Sequence, residues 1–66
     1  MNIDTMKAEI VLAEKGMTKG ELSAKSGISR QNLSAILKRG VCTPKTAGKL
    51  AAGLGVPVAD IMEARV

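Results

Sequence analysis

The sequence predicts an all-α fold, a compact bundle of five helices, on three observations. Apolar residues recur at spacings of three and four and never alternate, helix caps punctuate the chain, and two of the helices are separated only by a short turn around a glycine. At 66 residues the chain holds a single domain over residues 1–66, one that buries only about 60% of the surface its unfolded form exposes.

The first helix is expected from Thr5 to Lys15, with Asp4 or Thr5 as N-cap, Gly16 just past its end, and Met6, Ala8, Val11 and Leu12 turned inward. The second opens on a capping box, in which the Thr18 hydroxyl accepts from the Glu21 amide and the Glu21 carboxylate reaches back; Gly27 ends it. Ser29 caps the third helix, which continues to Lys38 or Arg39. On it Leu33, Ile36 and Leu37 share one face, while Gln31, Ser34, Ala35 and Lys38 share the other. After the loop Gly40-Val41-Cys42, Thr43 and Pro44 supply an N-cap and a proline at the first helical position. The fourth helix carries Ala47, Leu50, Ala51 and Leu54 inward and stops at Gly55. A last short helix follows Pro57, with Val58, Ile61 and Met62 available to close the core or to meet another subunit. Met6, Met17 and Met62 read as gap-filling core.

Composition removes several classes of function. There is no His, Phe, Tyr or Trp, and Cys42 is the only cysteine. Triads built on His, Cys/His zinc sites, internal disulfides and aromatic platforms for single strands all lack their residues. No pair of side chains forms a nucleophile and base, so catalytic residues, metal ligands and cofactors are expected to be none, and the protein is read as no enzyme. Apolar runs are too short for a membrane span of about 20 residues, and no charged, apolar leader opens the chain. The expectation is a cytoplasmic protein with no membrane contact, where a lone thiol stays reduced.

The net charge of +4 is unevenly placed. Residues 1–14 set Lys7 against Asp4, Glu9 and Glu14, and residues 50–66 set Arg65 against Asp60 and Glu63. Between them stand Lys15, Lys19, Lys25, Arg30, Lys38, Arg39, Lys45 and Lys49 against Glu21 alone, a block of +7. A solvated basic surface would account for that block by itself; its natural partner, if it has one, is a polyanion such as duplex DNA.

The spacing inside the middle block decides between these. Residues 17–37, MTKGELSAKSGISRQNLSAIL, resemble the helix-turn-helix of the Cro/CI-type family of phage-repressor-like and XRE-like regulators, with the motif at about residues 18–39. Leu22, Gly27, Ile28, Leu33 and Ile36 fill apolar or glycine key positions in register, and Ser23 and Ser26 keep the small size preferred at theirs. Residues 43–61, TPKTAGKLAAGLGVPVADI, resemble the fourth helix, the turn after it and the fifth helix, so that the likeness covers about residues 6–62. It implies the lambda-repressor-like domain, with helices 2 and 3 as the helix-turn-helix.

Two departures from the family pattern stand out. Members often carry an Arg on the first helix and a Glu after the position of Ile36 that pair; here Leu12 and Leu37 occupy both places. Replacing both partners of a buried pair with apolar groups is tolerated where replacing one is not, so Leu12 and Leu37 are expected to touch. Many members also have Gly where Arg39 stands, with Gly40 one residue later, which leaves the end of the third helix open between the two readings.

The resemblance implies that a recognition helix over residues 29–38 lies in the major groove of double-stranded DNA. Matching positions make Arg30 and Gln31 the base readers, Arg for guanine and Gln for adenine, with Asn32 reaching a base or a phosphate, Ala35 sized for a thymine methyl, and Ser34 a weaker candidate. Thr18, Lys19, Ser29, Lys38, Arg39, Thr43 and Lys45 are the expected phosphate contacts, and Lys7, Lys15 and Lys49 plain surface charge. The function implied is a transcriptional regulator, a repressor, acting as a homodimer on DNA, with Ile61, Met62 and Val66 as the candidate dimer surface. The alternative from the same fold is the DNA-binding antitoxin of a toxin–antitoxin pair, whose protein partner would be the toxin. Cys42 reads as an incidental small loop residue.

Overall fold

The computed structural model describes residues 1–63. Helices α1 (Thr5–Lys15), α2 (Lys19–Ser26), α3 (Arg30–Arg39) and α4 (Pro44–Leu54) follow in order, and a single 3₁₀ turn spans Val58–Ile61. The expected fifth helix is therefore one tight turn. Pro57 withholds an amide at its start, and at Met62 the backbone is extended (ψ 146°), so the turn cannot propagate.

Local chemistry sets every α-helix boundary. Asp4, not Thr5, caps α1 by accepting from the Lys7 amide (3.1 Å). Thr18 and Glu21 form the expected capping box, with the Glu21 amide donating to Thr18 Oγ1 and the Thr18 amide to Glu21 Oε1. Ser29 and Thr43 cap α3 and α4 through the amides of Asn32 and Thr46. Each such cap contributes about 1 kcal/mol.

The core is aliphatic throughout. Leu22, Leu33, Leu50, Leu54 and Ile61 are its largest fully enclosed side chains, joined by Ile3, Leu12, Ile28, Ile36, Leu37 and the alanines Ala8, Ala47 and Ala51. Each buried Leu or Ile contributes about 1.5–3 kcal/mol. α4 packs across α2, and α1 packs across α3 and the 3₁₀ turn. Leu12 and Leu37 both belong to this buried cluster. Met17 and Met62 fill its margins as expected, whereas Met6 is 68% exposed. Ala8 and Leu12 define the buried stripe of α1, and Met6 lies about 160° around the helix from Ala8. Ile61 is fully buried, closing the core, and so is removed from the expected dimer surface; Val66 lies outside the described residues.

Residues 1–4 form a clasp that helical periodicity does not reveal. The Ile3 amide donates to Gly40 O (2.7 Å), the Cys42 amide to Met1 O (3.1 Å), the Asp4 amide to Ile61 O (2.8 Å) and the Glu63 amide to Asn2 O (3.2 Å). The extended N-terminal residues thus lie between the α3–α4 loop and the segment after the 3₁₀ turn, pairing Asn2 with Val41 and Ile3 with Met62. Ile3, 3% exposed, anchors the clasp in the core.

Candidate nucleic-acid interface

The geometry of α3 follows from how it is held. Leu33, Ile36 and Leu37 are buried, while Arg30, Gln31, Asn32, Ser34, Ala35, Lys38 and Arg39 are exposed. At its start the turn from α2 is fixed by side chains on both polar groups of Ile28. Ser23 Oγ donates to Ile28 O (2.6 Å), and the Ile28 amide donates to Ser26 Oγ (3.2 Å), with Gly27 left-handed at φ 75° between them. Ser23 and Ser26 therefore do more than stay small. At the other end Gly40, at φ 73°, donates its amide to Ile36 O (2.7 Å). Arg39 is helical, so α3 extends through it and the stop falls at Gly40.

Around the α3 axis the exposed side chains divide. Gln31, Ser34, Ala35 and Lys38 lie opposite the buried stripe, Arg30 borders it on one side, and Asn32 and Arg39 lie toward α4. There Asn32, Ala35, Ile36 and Arg39 line an open cleft of about 370 Å³, together with Ile28 and Ser29 of the turn, Val41, Cys42 and Thr43 of the loop, and Thr46 and Lys49 of α4. The base-reading candidates thus share one continuous surface with a cationic, hydroxyl-lined cleft.

Thr46 and Lys49 belong to this surface, and the sequence reading missed the first and set the second aside as plain charge. Their spacing after Thr43, three residues and then three more, places all three along one side of α4 and was the available signal. Thr43 Oγ1 donates to Thr46 Oγ1 (2.9 Å) while accepting the Thr46 amide, which leaves the Thr46 proton to serve an incoming group. Cys42 is half-buried in the cleft wall, and burial pushes its thiol pKa up, against a smaller opposing pull from the N-terminal ammonium. A raised pKa means less thiolate, so this is not an activated cysteine.

The remaining expected phosphate contacts sit at helix starts. Lys19 opens α2 and reaches Glu9 of α1 at 4.0 Å, an exposed pairing of about 0–1 kcal/mol that a phosphate can displace. Thr18 is more committed: its amide and its hydroxyl both donate to Glu21 Oε1. Ser29 accepts from Asn32 and keeps its own proton. Lys45, near the start of α4, is exposed and does not line the cleft. The free amides and partial positive charge of these helix N-termini add to the basic side chains.

Two short helices held at a fixed turn, the second exposing a face with no acidic residue and flanked by basic helix starts, define a helix-turn-helix DNA-binding domain. The chain belongs to the Cro/C1-type HTH DNA-binding domain family, whose model matches residues 9–65. No curated protein and no solved structure shows a significant match to it. No described helix is long and apolar enough to cross a membrane, and no group of three or more His, Cys, Asp or Glu able to hold a metal occurs among the described residues.

Proposed function

We propose that this domain is a sequence-specific regulator of transcription that represses by occupying duplex DNA, in the cytoplasm and without a cofactor. One observation carries the reading: α3 buries Leu33, Ile36 and Leu37 and offers Arg30, Gln31, Ser34, Ala35 and Lys38 outward from a rigid mount. A helix of 10 residues is about 15 Å long, and the major groove, about 12 Å wide, admits it. Arg30 can fork onto guanine O6 and N7 and Gln31 onto adenine N6 and N7, each pairing contributing about 1–3 kcal/mol of discrimination. Asn32 lines the same cleft as Arg39, which supports a phosphate rather than a base as its partner. Lys19, Lys38, Arg39, Thr43 and Lys45 hold the flanking phosphates, fixing register without reading sequence.

A single domain of this size reads few base pairs, so the protein works as a homodimer on a pseudo-palindrome with half-sites about 34 Å apart. The test is fluorescence anisotropy of the protein on a selected duplex and on its shuffled counterpart across a salt series. Tighter binding to the selected duplex at every salt, and a steep fall of affinity with salt on both, supports the reading. Equal affinities, or no salt dependence, contradicts it.

A further inference from the structure

Of the large apolar side chains that stay exposed, two lie one turn apart on α1: Met6 at 68% and Ile10 at 49%. Ala13, also exposed, falls on the same side, and the three span about 60° of the helix surface. Isolated apolar residues on a surface are ordinary, but an aligned stripe on one helix is the pattern of a contact. The opposite flank of α1 is already used, by Ala8 and Leu12 in the core.

We propose that this stripe is a self-association surface whose occupant is the α1 of a second copy of the chain, packed antiparallel about a two-fold axis near Ile10. The two faces are complementary. A two-fold contact must match its own surface, each residue meeting a partner whose own opposite is the first. With Ile10 on Ile10 of the second copy, antiparallel register sets Met6 over Ala13 of the second copy, large against small, and Ala13 under its Met6. The same register sets Lys7 beside Glu14 of the second copy, and Glu14 beside its Lys7. Lys7 and Glu14 lie within about 20° of each other around the helix, on the same flank of the stripe, so both ion pairs form on one side. Lys7 Nζ also reaches Met62 O at 3.4 Å, which holds its ammonium at the edge of this face. On the other flank the two Glu9 side chains face each other, each paired in the absence of DNA with Lys19 of its own chain.

α1 has 11 residues and is about 16 Å long, so two such faces bury less than the roughly 1,200–2,000 Å² of a standard specific interface. The dimer is therefore weak and concentration-dependent in solution. The contact lies on a helix other than α3 and is tested without DNA.

Sedimentation velocity of the full chain from micromolar to millimolar concentration should show a rise from monomer to dimer. Ile10→Glu and, separately, Met6→Glu should leave a monomer throughout, with helical circular dichroism and melting temperature close to wild type because both side chains are exposed. Lys7→Glu and Glu14→Lys should each weaken dimerisation severalfold, and the two together should restore it, because the swapped charges meet again across the axis. A wild type that stays monomeric, glutamate variants that dimerise as wild type does, or a double reversal no better than the singles overturns the proposal. In each of these cases the half-site preference of the monomer on DNA is measured separately and stands or falls by itself.

Discussion

Gly53 of α4 lies so close to Ser26 of α2 that a Cβ on the glycine would stand 2.7 Å from Ser26 Cβ and 3.0 Å from Ser26 Cα. Leu22 Cδ1 would be met at 3.0 Å as well. Ser26 also accepts the Ile28 amide that fixes the turn into α3. The contact between α2 and α4 thus bears on the start of α3 through one serine.

Gly53→Ala should therefore destabilise the domain by about 1–3 kcal/mol, because backbone and not a flexible side-chain tip must move. Gly48 is the internal control: it is helical, and a Cβ there meets nothing within 4 Å. Gly48→Ala should stabilise by roughly 0.5–1 kcal/mol. Thermal unfolding of the two variants should move in opposite directions, and a parallel shift would show that helix propensity alone governs both.

Ser23→Ala removes the donor to Ile28 O, and Ser26→Ala the acceptor of its amide. Each should cost about 1–3 kcal/mol, as befits a polar group left unpaired at a packed turn. Hydrogen exchange is the sharper probe for Ser26→Ala: the Ile28 amide should lose protection first, while the Leu50 and Leu54 amides of α4 keep theirs. Uniform loss across the chain would contradict a local role for the serine.

Leu12 and Leu37 sit in one cluster where α1 meets α3. A double-mutant cycle on Leu12→Ala and Leu37→Ala should give a coupling energy above about 0.5 kcal/mol if the two side chains touch. Strict additivity would place them in separate parts of the core.

Lys49 and Thr46 carry the cleft from the loop onto α4, and with it the proposed phosphate-holding surface. Lys49→Ala should weaken binding to all duplexes alike and reduce the slope of log affinity against log salt by about one. Lys25→Ala, an exposed lysine of α2 that does not line the cleft, should leave the slope unchanged. Equal effects of the two would mean that net charge, not the cleft, is felt.

What the sequence revealed and what it hid divide along a physical line. The capping box of Thr18 and Glu21, the stop at Gly27, and the buried stripe of Leu33, Ile36 and Leu37 depend on neighbours within one turn and are found as expected, whereas the end of α3, left open between Lys38 and Arg39, is settled only by the structure, at Gly40. Ile3 could not be found that way. Its clasp joins residues 1–4 to Gly40 and Ile61, and a segment of four residues is too short to display a period. Met6 and Ile61 are apolar residues whose side of the molecule depends on which neighbouring elements claim the rest of their helix or turn. The exposed face of α3 was legible residue by residue; the cleft was not, because Asn32, Arg39, Thr46 and Lys49 come together only once α4 is in place.

Selection of bound sequences from a random duplex pool, run on the wild type, Arg30→Ala and Lys19→Ala, tests the central claim most directly. The account predicts a defined wild-type preference, loss of preference at one base position of each half-site for Arg30→Ala, and for Lys19→Ala the same preferred sequence at uniformly weaker affinity. A wild type without preference, or an Arg30→Ala protein that selects the same sequence as wild type, would contradict it.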